Sequence, residues 1–135
     1  MNKKMLGEIS EAKILARLLE MGKEVAIPFG DSSRYDLVII ESEKAIRVQC
    51  KTGFKRKATG DNVLHFATCS CNPFTNKTRG YNNDVDLFAV YYPANGKVYL
   101  VPIEEVKQKR EFTLRLEPPL NRQIKGIRMA SSYEF

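Results

Sequence analysis

Ile14, Leu15, Leu18 and Leu19 fall on one arc at about 100° per residue, and Gly22 closes the pattern, so the spacing predicts a helix over residues 5–21. A short strand is expected at 24–27, followed by the turn cluster Gly30-Asp31-Ser32-Ser33. Residues 35–40 and 45–50 are strand-like runs separated by Glu41-Ser42-Glu43-Lys44, which reads as a hairpin. Residues 54–57 and 63–68 flank Ala58-Thr59-Gly60-Asp61-Asn62 and predict a second hairpin. The segment 69–83, rich in Asn, Thr and Gly, reads as loop. A third strand pair is expected at 85–91 and 97–101, then a short helix at 102–106 and a polar tail beyond Pro118-Pro119. Helix, strands, more strands and a late helix imply one α/β or α+β domain over residues 1–135.

Polar residues interrupt this pattern where chemistry is expected. Glu11 lies within the apolar arc of the first helix and Glu8 shares it, a costly placement unless a cation or donor meets the carboxylate. A structural salt bridge at the edge of the stripe is the plain alternative. With the first hairpin centred on Ser42-Glu43 and two or four loop residues, Asp36 lies opposite Gln49. Opposed residues share a face, as do residues two apart, so Lys51 joins them. A three-residue loop would break that register. Asp36, Gln49 and Glu11 as oxygen ligands suit a hard divalent cation such as Mg²⁺, bound through one or two carboxylates and a substrate phosphate. Such an ion would polarise a phosphodiester and acidify water, while Lys51 would position that water and offset phosphate charge.

The charge distribution names the partner class. The net charge is +6. Residues 1–50 hold eight basic and eight acidic side chains, whereas 51–83 hold Lys51, Lys55, Arg56, Lys57, Lys77 and Arg79 against Asp61 alone. That clustering is the footprint of a polyanion, with a solvated basic face as the alternative. Lys55, Arg56, Lys57, Lys77, Arg79 and the lone His65 are the candidate nucleic-acid contacts. No apolar run approaches the ~20 residues of a membrane span. Three cysteines, Cys50, Cys69 and Cys71, without a secreted spacing imply a reduced, cytoplasmic chain. His65 with Cys69-x-Cys71 is a weak zinc pattern. With one His and no Ser-containing elbow, nucleophilic hydrolase chemistry lacks a base.

These residues carry a resemblance. Gly7-Glu8-Ile9-Ser10-Glu11-Ala12, Tyr35-Asp36-Leu37-Val38 and Val48-Gln49-Cys50-Lys51-Thr52 resemble the PD-(D/E)XK nuclease superfamily. Pro28-Phe29-Gly30-Asp31, Arg34-Tyr35-Asp36 and Asp86-Leu87-Phe88-Ala89-Val90-Tyr91 are similar to its small bacterial members encoded in group I introns, the cyanobacterial-type homing endonucleases. The resemblance covers most of residues 5–102. It implies a restriction-endonuclease-like α/β core, with the N-terminal helix packed on a mixed β-sheet and a basic β-hairpin added. It also implies Mg²⁺-dependent cleavage of double-stranded DNA, with Asp36 and Gln49 as metal ligands, Lys51 as the motif lysine and Glu11 as the helix acid. Gln49 stands where the superfamily normally has Asp or Glu, and Tyr35 where the motif name has Pro. A Holliday junction resolvase and a non-catalytic DNA-binding relative are the competing readings. A double-strand break needs two sites of opposite polarity, so a homo-oligomer, dimer or tetramer, is expected. The 85–91 and 97–101 strand pair, or the tail, would furnish its contacts.

Overall fold

The computed structural model describes residues 1–56, 62–106, 110–118 and 126–135. Helix α1 spans Lys3–Glu20. Its start precedes the apolar pattern because the cap is polar: Asn2 Oδ1 accepts from the Met5 amide at 2.8 Å. Gly22, at φ +78°, supplies the left-handed residue that ends it. The buried face is Ser10, Ile14 and Leu18. Leu19 is 55% exposed and Glu8 is also exposed, so the stripe lies further from Glu8 than the sequence implied.

Ten strands follow among the described residues. The first five are β1 (Glu24–Ala26), β2 (Leu37–Glu41), β3 (Lys44–Thr52), β4 (Phe54–Lys55) and β5 (Val63–Ala67). The others are β6 (Cys69–Cys71), β7 (Thr78–Gly80), β8 (Leu87–Tyr92), β9 (Lys97–Pro102) and β10 (Glu111–Arg115). The main sheet has the order β1-β2-β3-β8-β9 and is mixed, since β3 and β8 run parallel and its other pairs antiparallel. A second sheet has the order β10-β5-β4, and β6 pairs with β7 alone. The β2–β3 hairpin closes through a two-residue loop, Ser42-Glu43, both at positive φ as a type I′ turn demands. That loop sets the pairing Leu37↔Val48, the register required to oppose Asp36 and Gln49.

Residue alternation gives the main sheet two apolar faces. Ala89 and Tyr91 of β8 join Ile14 and Leu18 of α1, with Leu37, Ile39, Val48 and Val98, in one cluster. Phe88, Val90 and Tyr92 face the other way, onto Leu64, Phe66, Phe112 and Leu114 of the second sheet. Phe66 is the hinge of that packing, with ring centroids 5.7 Å from both Phe88 and Phe112. The chain passes from one sheet to the other at Gly53, whose amide donates to Tyr91 O at 2.8 Å. A Cβ there would sit 3.2 Å from Val90 Cγ1, so glycine lets the backbone run this close.

Several expectations change. The predicted loop 69–83 contains β6 and β7, short strands without apolar alternation. Strand β10 adds to the expected elements, and the expected helix at 102–106 is a 3-10 turn at Ile103–Glu105. The end of the tail docks rather than trailing: Leu100 donates to Tyr133 O at 2.8 Å and Phe135 to Val98 O at 2.9 Å, covering the β9 edge. Val85 and Phe88–Tyr92 are buried within the chain, so that strand pair does not offer the apolar contact surface expected of it. No described helix is long and apolar enough to cross a membrane.

Candidate active site

The open end of the β2–β3 hairpin organises the site. The Asp36 amide donates to Val48 O at 2.8 Å, extending the ladder one step past β2. Its carboxylate then reaches across the hairpin, where Oδ2 accepts from the Cys50 amide at 2.9 Å. Burial raises the Asp36 pKa above the usual carboxylate range, against the lowering pull of that hydrogen bond and of the Lys51 charge. Glu11 approaches from α1, which is tied to the far end of β3 by a 2.7 Å Ser10–Thr52 hydroxyl pair. Burial pushes the Glu11 carboxyl upward, and the negative charges of Asp36 and Glu8 push in the same direction. The Cys50 thiol between them is pushed up by burial and by both carboxylates. Glu11 is thus within electrostatic reach of Asp36, and Asp36 of Lys51.

Gln49 and Lys51 alternate with Val48 and Cys50 along β3 and face away from α1. The Gln49 amide is half-buried, and its nitrogen makes a weak 3.5 Å contact to Cys50 O. Lys51 Nζ lies 4.9 Å from the centre of the Tyr81 ring and donates to the Tyr81 hydroxyl at 3.4 Å. Among the described residues no three His, Cys, Asp or Glu side chains lie together as a metal cluster. Burial is the largest cause of the upward shift in both Glu11 and Asp36.

The basic segment divides. Phe54 pairs with His65 and Lys55 with Leu64, so successive side chains of β4 take opposite faces. Arg56 and His65 both meet Glu111 of β10, His65 Nδ1 at 3.3 Å from its carboxylate. Glu111 opens the alternating run Glu111-Phe112-Thr113-Leu114-Arg115, a period-two signal by which this strand and its acid were legible in the sequence. Lys57 lies outside the described residues. Lys77 and Arg79 are exposed on the β6–β7 hairpin, with Arg79 3.5 Å from Asp84. Sequence reasoning also missed Tyr81 and Asp84; Tyr81, 30 residues from Lys51 along the chain, reaches it through the fold alone.

One helix on a mixed sheet, with an acidic pair and a lysine at the hairpin end, defines a nuclease of the restriction-endonuclease-like fold. The chain belongs to the PD-(D/E)XK endonuclease family, whose sequence pattern it matches over residues 1–135. Among solved structures, the bacterial homing endonuclease I-Ssp6803I is similar at TM-score 0.77 and 25% identity, over 99% of this chain and 89% of that one. The crystal structure of MepB, at TM-score 0.39 and 14% identity over 93% and 87% of the two chains, is too distant to bear on the site. No curated protein matches the sequence.

Proposed function

We propose that this chain is a homing-type endonuclease that cleaves double-stranded DNA at a specific sequence, with Mg²⁺ as cofactor. The observation that carries the reading is Asp36 hydrogen-bonded to the Cys50 amide, between Gln49 and Lys51 on β3, with α1 and its Glu11 tied to Thr52 of the same strand through Ser10. Asp36, Glu11 and the Gln49 amide oxygen would hold the cation, an all-oxygen set suited to a hard ion. When bound, the ion supplies Lewis-acid polarisation of the scissile phosphate. An amide in place of a carboxylate removes one negative charge from the site and weakens metal affinity. Asp36, fixed by the Cys50 amide, keeps its orientation while substrate enters. The Lys51 ammonium offsets the negative charge that grows on the phosphate and orients the attacking water.

Lys55, Lys77 and Arg79 are the proposed phosphate contacts, with Lys57 in the same basic run. Arg56 and His65 join them by exchanging Glu111 for DNA. Similarity to a bacterial homing endonuclease supports sequence-specific reading. Two cuts of opposite polarity call for a homo-oligomer, dimer or tetramer, of this single nuclease domain. The test is to sequence the ends released from a randomised plasmid library incubated with the protein and Mg²⁺. A single recurring cut site is expected. Asp36→Ala and Lys51→Ala should abolish the ends while duplex binding persists. Undiminished cleavage by purified Asp36→Ala would remove this site from consideration.

A further inference from the structure

Tyr81 follows the fully exposed strand β7, yet only 6% of it is accessible. Its ring packs edge-on against Phe88 at 5.7 Å, anchored in the core between the two sheets. Two cations use that ring. Lys51 Nζ lies 4.9 Å from its centre and the Arg34 guanidinium carbon 4.2 Å. Arg34 in turn grips the base of the β6–β7 hairpin on both strands. Its Nη1 donates to Ser70 Oγ at 2.7 Å and its Nη2 to Gly80 O at 2.8 Å. Asp84 balances the charge, 3.4 Å from Arg34 Nε, and its own amide donates to Tyr81 O at 2.9 Å. Arg34 also stands two residues ahead of Asp36 in the chain.

We propose that Tyr81 and Arg34 are positioning residues that hold the Lys51 ammonium in place and couple it to the β6–β7 hairpin. The proposal rests on the reading of Lys51 as part of the cleavage site. The physical case turns on what a lysine needs there. A carboxylate partner would fix Lys51 but cancel the charge intended for phosphate. An aromatic face fixes the ammonium through its quadrupole and leaves the charge available. The ring can serve this way only if it is immobile, and Phe88 packed against it with Arg34, itself bonded to the hairpin, make it so. A force on the hairpin, whose Lys77 and Arg79 are proposed phosphate contacts, is thereby transmitted through the Arg34 fork to the ring beneath Lys51.

Single-turnover cleavage of supercoiled plasmid, with protein in excess and Mg²⁺ present, tests the relay. Tyr81→Leu removes the aromatic face, Tyr81→Phe keeps it and loses only the hydroxyl, and Arg34→Lys keeps the charge and loses the fork. We expect cleavage rates, measured well below each variant's Tm, to fall by about tenfold to a hundredfold in Tyr81→Leu and Arg34→Lys, the scale of a misplaced catalytic group, and to stay near wild type in Tyr81→Phe. Kd for a fluorescent mixed-sequence duplex should stay at its wild-type value. Wild-type rates in Tyr81→Leu and Arg34→Lys, or a Tyr81→Phe rate as low as that of Tyr81→Leu, overturn the proposal. A second readout does not depend on cleavage. With lysines reductively dimethylated using ¹³C, the Lys51 methyl resonance, identified by its loss in Lys51→Arg, should carry a ring-current shift that Tyr81→Phe preserves. An unshifted Lys51 resonance in the wild type overturns the relay even if DNA is cleaved. If the wild type cleaves no DNA, the proposed function fails, and the ring-current shift still decides whether Tyr81 holds Lys51.

Discussion

Glu11→Gln separates a metal ligand from a structural acid. The change keeps the side-chain shape and removes one charge. Its carboxyl is raised by burial and by the charges of Asp36 and Glu8, so in metal-free protein the substitution relieves repulsion. Solvent screens this half-buried group, which limits the gain to a few tenths of a kcal/mol. For a chain of 135 residues, an unfolding entropy of about 2.1 cal/mol/K per residue gives about 0.28 kcal/mol per degree at the midpoint. Tm in EDTA should therefore stay level or rise by about 1–2 °C. A divalent cation at tenfold its Kd stabilises the wild type by about 1.4 kcal/mol, or about 5 °C. If the variant binds about tenfold more weakly, the same cation gives about 0.4 kcal/mol, near 1.5 °C. Scanning calorimetry with EDTA and with Mg²⁺ measures both arms. A loss of about 3–5 kcal/mol in EDTA would reveal a buried ion pair at Glu11. Equal Mg²⁺ shifts in the two proteins would remove Glu11 from the ligand set.

The other predictions test packing, pH response and DNA contact. Phe66→Ala, at a fully buried ring between Phe88 and Phe112, should cost about 3–5 kcal/mol, read as a lower urea midpoint. Asp86 has its pKa lowered by its hydrogen bond to Arg47, so its contribution is present above the ordinary carboxylate range and is lost as pH falls through the depressed folded value. Asp86→Asn should reduce Tm at neutral pH by the equivalent of about 1 kcal/mol or less, given its exposure, and the two proteins should converge in acid. Lys77→Ala should flatten the salt dependence of duplex binding by about 0.9 in the log–log slope, and Arg79→Ala by less, because Asp84 lies 3.5 Å from its guanidinium. Arg56→Ala should flatten it less, because Glu111 already holds that guanidinium, and Glu111→Gln should strengthen binding; an unchanged affinity would count against Arg56 as a DNA contact.

Local patterns made part of this protein legible without its fold. The helix follows from its 3.6-residue period and a terminal glycine, and the β2–β3 register from a two-residue turn centred on Ser42-Glu43. Because that register is local, it also placed Asp36 opposite Gln49 and brought Lys51 to the same face. Glu11 stood out because a carboxylate inside an apolar arc calls for an explanation. Tertiary structure decided what local pattern cannot encode. The alternation of Glu111–Arg115 marks strand β10 locally, but its pairing with β5 and the contact of Glu111 with Arg56, 55 residues away, are encoded in no local window. The β6–β7 strands are polar on both faces and owe their pairing to backbone hydrogen bonds and the Arg34 fork, so they leave no hydrophobic signature. Tyr81 read as one more loop residue. Only the packing of its ring against Phe88 brought it beneath Lys51, because burial and long-range contact are properties of the folded chain and not of any window along it.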